Sequence, residues 1–241
     1  MSQPARIRLG DREIDYLLKR SRRRTIGFTI SHAGLAVTAP QRISQREIEG
    51  ALHARSGWIL DKLTAWEDRP KRAVLALESG ETLPWLGGEL ALQIEPRGVR
   101  TTVAMRGEAL HVTVDPQASG ELRDRAIRSA LVRFYKREGA AFMTPRVEHF
   151  ASALARPVRK VIVREQKSRW GSCAADGTVR LNWRLMGFPV EMIDYVCAHE
   201  AAHLVEANHS AAFWNTLASV LPDWREARAA MRSEADRWTW A

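Results

Sequence analysis

The segment CAHEAAHLVEANHS, residues 197–210, holds three of the chain's seven histidines within eleven residues. On an α-helix, residues four apart lie one turn apart on the same face. His199 and His203 can then offer imidazole nitrogens to one metal ion, and Glu200 can reach a water on that ion. Two imidazoles and a carboxylate base at this spacing form the donor set of a zinc hydrolase. Such a site takes three protein ligands and keeps a fourth position open. His209, just past the expected helix end, is the best third ligand, with Glu206 and Glu226 as competitors. A buried helix rarely holds three such polar residues without a partner, because unpaired buried polar groups are costly.

The chemistry follows from electrostatics. Zinc lowers the pKa of its water towards about 7. Glu200 can take the proton as that water attacks a carbonyl, then pass it to the leaving amine. The oxyanion needs a donor besides the metal, and Lys167, Arg169 and Tyr195 are candidates. Tyr195, one turn before His199, is equally suited to packing. Cys197 points away from the ligand face and reads as a core thiol. Cys173, in a WGSC loop, reads as a small buried thiol rather than a ligand or nucleophile. Of the nine tryptophans, Trp170, Trp183 and Trp214 are expected nearest the cleft.

Several elements must position these residues. Ile14, Tyr16 and Leu18 alternate along one strand, and Ile26, Phe28 and Ile30 along another. Leu35 and Val37 follow a turn at Ala33-Gly34, predicting a small antiparallel sheet closed by Pro40. Ser44 and Glu47 form a capping box ahead of a helix carrying Ile48, Leu52, Ile59 and Leu63. Residues 67–72 read as a loop. Gly87-Gly88 predicts a hairpin between 85–86 and 90–92, and strands over 99–105 and 109–114 follow. A long helix from Ser119 shows an apolar stripe of Ile127, Leu131, Phe134 and Tyr135, broken near Thr144-Pro145. Strands at 158–163 and 178–185 flank a loop at 165–175. Pro189 opens the histidine helix, Asn208 stops it, and Ser210 caps the next. A last helix runs from Asp223 through Trp238. No internal repeat is visible.

The bulk properties set bounds. The 241 residues are 45% hydrophobic and 27% charged, as in soluble globular proteins. No apolar run approaches the roughly 20 residues of a membrane span, and the first residues show no apolar signal segment. Two cysteines give no disulfide framework, so a cytoplasmic location is expected. A net charge of +9, densest at Lys19–Arg24, permits nucleic-acid or anionic-substrate binding without requiring it. A solvated strand end and turn is the plainer reading of that run.

Four pieces taken together, QKSRWGSC at 166–173, LNWRL at 181–185, HEAAHLVEANHSAAFW at 199–214 and PDW at 222–224, resemble the YgjP-like metallopeptidase-domain family. This family is related to the SprT-like and WLM zinc peptidases. The basic run before TIGFTI and the turn before LAVTAP fit it more loosely. The resemblance implies an α+β chain: a β-rich N-terminal region with one helix, residues 1–116, then a zincin-like metallopeptidase domain with a buried HExxH helix, residues 117–241. The two are expected as separate regions or one compact unit. It further implies one Zn2+ per chain held by His199, His203 and His209, with Glu200 catalytic. Gln166, Arg169, Trp170, Ser172, Asn182 and Trp183 are expected to border the cleft and bind an extended substrate by strand addition, or simply to lock the loop onto the helix.

The leading expectation is therefore a zinc metallopeptidase acting on protein or peptide substrates, with no membrane partner. One variant acts on nucleic-acid-bound proteins, though no DNA-binding module is visible. A metal-dependent nucleotide or phosphate-ester hydrolase is the main alternative, and a non-catalytic protein with structural zinc is a third.

Overall fold

The computed structural model describes residues 2–31, 34–67, 75–166 and 169–234. Expectations placed on Ala33, on the loop at 68–72, on Lys167 and on the helix end near Trp238 lie outside those residues. The chain divides into two compact units, Met1–Lys71 and Arg72–Ala241.

In the first unit, β1 (Ser2–Leu9), β2 (Arg12–Ser21), β3 (Gly27–Ser31) and β4 (Gly34–Pro40) form one sheet in the order β1-β2-β4-β3. The alternation of β2 is realised, since Ile14, Tyr16 and Leu18 are all buried. The sheet is not purely antiparallel: β2 runs parallel to β4, with Tyr16 opposite Leu35 and Leu18 opposite Val37. β3 pairs on the far side of β4, so the chain re-enters beside β2 in the same direction, and the buried residues of the two strands share a face. Ser44 caps α1 (Gln45–Ala54): its Oγ accepts the Glu47 N–H at 3.2 Å, and the Glu47 carboxylate accepts the Ser44 N–H at 2.9 Å. The single expected helix ends at Arg55 and restarts as α2 (Ser56–Glu67), yet Ile48, Leu52, Ile59 and Leu63 still share one core.

The second unit begins with another four-stranded sheet, made of β5 (Thr82–Trp85), β6 (Gly88–Pro96), β7 (Thr102–Arg106) and β8 (Ala109–Val114). Its order, β5-β6-β8-β7, and its parallel β6–β8 pair repeat the topology of the first sheet, a repeat the sequence does not reveal. The hairpin turn is Leu86-Gly87, both with positive φ, rather than Gly87-Gly88. Residues 82–114 share a core with the helices after them, so the contacts divide the chain at 71/72 and not near residue 116.

Helix α3 (Gly120–Ala153) is continuous through Pro145. Proline removes one backbone hydrogen bond from a helix interior. Met143 and Val147, fully buried on either side, hold the helix there. Each such side chain contributes roughly 1.5–3 kcal/mol on burial, so two together match the proline cost of about 3 kcal/mol. The expected stripe of Ile127, Leu131, Phe134 and Tyr135 is buried throughout. A three-stranded sheet follows, ordered β10-β11-β9, from β9 (Lys160–Arg164), β10 (Gly171–Cys173) and β11 (Thr178–Asn182). Strand β10 lies inside the segment expected to be loop, and it forms a sheet edge. A 3-10 turn at Trp183–Gly187 leads into α4 (Val190–Ala202), followed by α5 (Ala211–Val220) and α6 (Trp224–Glu234). The β5–β6 turn braces the start of α4. Leu86 N–H donates to the Met186 carbonyl at 2.7 Å, and a Cβ on Gly87 would come within 3.0 Å of Pro189 Cα. Among the described residues no helix is long and apolar enough to cross a membrane.

Candidate active site

Helix α4 buries nine of its residues, Glu200 among them, so its position is set by core packing. It ends one residue before His203, earlier than the stop expected at Asn208. His203 is its C-cap with φ −67° and ψ −13°, still helical, and therefore stays one turn from His199. Asn208 acts later: its side-chain oxygen accepts the Ser210 N–H at 3.1 Å, and Ser210 Oγ caps α5 through the Phe213 N–H. The turn between the helices carries His209 back to α4.

The three imidazoles converge. His209 Nε2 lies 3.0 Å from His199 Nε2, and the donor atoms of His199, His203 and His209 all lie within 4.8 Å of one another. Nitrogens bound tetrahedrally to zinc at about 2.0–2.1 Å stand roughly 3.3 Å apart, so this spacing suits a shared ion. His203 Nδ1 lies 2.9 Å from the Glu206 carbonyl, an N–H donor position that leaves Nε2 with a free lone pair. His199 is pushed down to about 3 by burial, by the two other histidines and by Arg228, so its imidazole is neutral at neutral pH. His209 is lowered by burial, His203 and Arg228. A separation of 3.0 Å fits two lone pairs turned to one cation, and without an ion it fits one ring N–H donating to the other ring. Phe213 packs against all three rings, at centroid distances of 4.9, 4.6 and 4.7 Å, and fixes their orientation with apolar surface. Among the described residues neither Glu206 nor Glu226 joins the cluster. Glu206 contributes only its backbone carbonyl, and Glu226 is exposed on α6.

Glu200 is 4% exposed, and its Oε2 has no hydrogen-bond partner. Burial pushes its carboxyl up to about 8, against the opposing pull of the Arg169 cation. A divalent ion at the imidazoles would favour the carboxylate in the same way. The reason Glu200 fits is Gly171 on β10: a Cβ there would fall 2.6 Å from Glu200 Cγ and 2.7 Å from Cδ. Sequence reasoning missed Gly171.

The remaining expected residues divide into two groups. Arg169, Trp170 and Ser172 border the cleft beside His199 and Glu200. Trp170 packs edge-on against Phe188 at 4.9 Å. Asn182 and Trp183 do not border it. Trp183 is 1% exposed and packs against Tyr135 in the core, because the 3-10 turn directs it inward. Asn182 is also buried. Its amide donates to the carbonyls of Gln166 and Arg169, at 2.9 and 3.3 Å, and its oxygen accepts the Arg184 N–H. Gln166 in turn donates to the Arg180 carbonyl at 3.2 Å. These contacts clamp the segment before β10 onto β11. Asn182→Ala removes the partner of two part-buried hydrogen bonds to carbonyls and is expected to cost about 1–3 kcal/mol, read as a lower melting temperature together with faster proteolysis around residues 166–170.

Cys173 lines the cleft, but burial and the nearby carboxylates of Glu200 and Asp176 push its thiol up to about 11, so it stays protonated. Cys197 is fully buried. Tyr195 is 8% exposed at the cleft, its phenol held protonated by burial. Trp214 sits 5.7 Å from His209 and stacks on Trp224 at 4.5 Å. Arg228, also missed, lines the cleft four residues after Trp224, on the same face of α6. The PDW segment was its only signal.

Three converging imidazoles beside a buried carboxylate, on a mixed α and β frame, are the arrangement of a metallopeptidase. The chain belongs to the YgjP-like metallopeptidase domain family, whose model matches residues 24–234. Membership makes it a metal-dependent peptidase and implies a metal cofactor and protein or peptide substrates. No curated protein matches the chain. Two solved structures are similar to parts of it. The metallopeptidase zymogen of Pyrococcus abyssi abylysin is 24% identical, over 38% of this chain and 94% of that one, with a TM-score of 0.35. The metallopeptidase zymogen of Methanocaldococcus jannaschii jannalysin is 20% identical, over 39% and 96%, also at 0.35.

Proposed function

We propose that this chain is a zinc peptidase in which His199, His203 and His209 hold one Zn2+ and Glu200 is the general base. The observation that carries the reading is the convergence of three imidazoles beside Glu200, a buried carboxylate on the helix that carries His199. Bound zinc supplies a Lewis acid and a water that ionises near neutral pH. Glu200 takes the proton of the attacking water and delivers it to the leaving nitrogen. Its burial keeps competing solvent away from that proton. Strand β10, at the sheet edge, offers unpaired backbone groups beside Glu200 to an extended substrate, with Arg169, Trp170 and Ser172 along the cleft. Tyr195, protonated and next to His199, is the donor for the developing oxyanion. Phosphate-ester hydrolysis is the weaker reading, because metal sites for it use several carboxylates.

The test is elemental analysis of the wild type against His209→Ala, paired with cleavage of an unfolded protein substrate. About one zinc per chain is expected in the wild type, with zinc and cleavage both falling in the variant. A wild type that takes up no zinc would remove the reading. Full zinc in the variant would shift the third ligand elsewhere.

A further inference from the structure

Two hollows meet at Gly171, His199 and Glu200, one of about 260 Å3 and one of about 410 Å3. They are chemically unlike. The larger is bordered by Ser172, Cys173, Ala174 and Ala175, all small and uncharged at neutral pH. The smaller is walled by Tyr195, Met231, Arg228 and Arg232, with Arg169 on the edge common to both. Among the described residues lining the smaller hollow, Glu200 is the one carboxylate, and it is already engaged in the proposed reaction. Some arginines of this unit have acidic partners, as Arg146 has Asp194 and Arg184 has Glu165, while others, Arg180 and Arg225 among them, have no ion pair among the described residues. Among the described residues no ion pair takes up Arg169, Arg228 or Arg232.

Arg228 is also held in place. It is half-buried, and its guanidinium lies 4.4 Å from the Trp214 ring centroid and 5.7 Å from that of Trp224. It lines the same hollow as His199 and Glu200. A pre-positioned guanidinium presents a planar fork of donors that matches a carboxylate. The hollow is below the roughly 300 Å3 at which small-molecule clefts begin, a size suited to one side chain or chain end. Resting on the peptidase reading above, we propose that the smaller hollow is a specificity pocket for a substrate carboxylate next to the scissile bond, bound by Arg228 and Arg232. The carboxylate belongs either to an Asp or Glu side chain or to the substrate's C-terminus.

The zinc-loaded wild type is incubated with a synthetic peptide mixture, prepared with free and with amidated C-termini, and the cleaved bonds are read by mass spectrometry. Enrichment of Asp and Glu at one position beside the cut supports the side-chain source. Loss of cleavage on amidation supports the C-terminal source. For the best peptide, changing the recognised carboxylate to its amide is expected to lower kcat/KM about tenfold or more. Arg228→Gln is expected to shrink that ratio towards one, and Arg232→Gln provides a second variant should the first fail to fold. Equal rates on carboxylate and amide peptides, or a ratio unchanged in the folded variants, would overturn the pocket and leave the peptidase standing. No cleavage of any peptide by the zinc-loaded chain would overturn the peptidase reading and the pocket with it.

Discussion

Glu200→Gln is expected to lower peptide cleavage by roughly 10²–10⁴-fold, the range for loss of a general base, with zinc content unchanged. The amide is nearly the size of the carboxylate, so it occupies the same space against Gly171 without disturbing β10 or α4. What it lacks is a site for the proton of the attacking water. The ligand nitrogens belong to His199, His203 and His209, and their convergence does not use the Glu200 side chain. The variant's melting temperature is expected to be no lower than that of the wild type, because Glu200 Oε2 has no hydrogen bond to lose. The measurements are kcat on a cleaved peptide, elemental analysis and thermal unfolding on one preparation. Wild-type turnover would remove Glu200 from the mechanism. Loss of zinc would make it part of the metal site instead.

The parts of this site that follow a local period were legible in the sequence. His199 and His203 are four apart, and the capping residues Ser44 and Ser210 act where the sequence puts them. The stripe of α3 was legible for the same reason. What escaped was set by tertiary contact. Alternation marks which face of β2 and β4 is buried, but not that the two strands are parallel neighbours. Pro145 reads as a break because its cost is local, while the burial of Met143 and Val147 that offsets it is not. Strand β10 has three residues, too few for a period to appear, and it is a strand because β11 pairs with it. Trp183 resembles a cleft residue by its neighbourhood in the sequence, yet a 3-10 turn directs it into the core.

Gly171 is the sharpest case of a requirement hidden from the sequence, and Gly171→Ala is expected to reduce kcat by about 10²-fold. No positive φ is involved here, so alanine suits the backbone and β10 should still form. The conflict is one of space. The added methyl would stand 2.6 Å from Glu200 Cγ and 2.7 Å from Cδ. Carbon atoms not bonded to each other settle near 3.5–4.0 Å, so either the carboxylate or the strand must move by about 1 Å, and a displacement of that size costs on the order of 10²-fold in rate. Zinc should remain, since the three histidines come from α4 and the turn after it. Gly171 is thus a positioning residue, and a double-mutant cycle separates that role from general destabilisation. If the methyl acts by displacing Glu200, its effect on kcat should largely vanish in a Glu200→Gln background, because neighbouring groups acting through one function are not additive. An unchanged hundredfold loss in that background, or wild-type activity in Gly171→Ala alone, would show that the close approach of β10 to α4 does not set the position of the base.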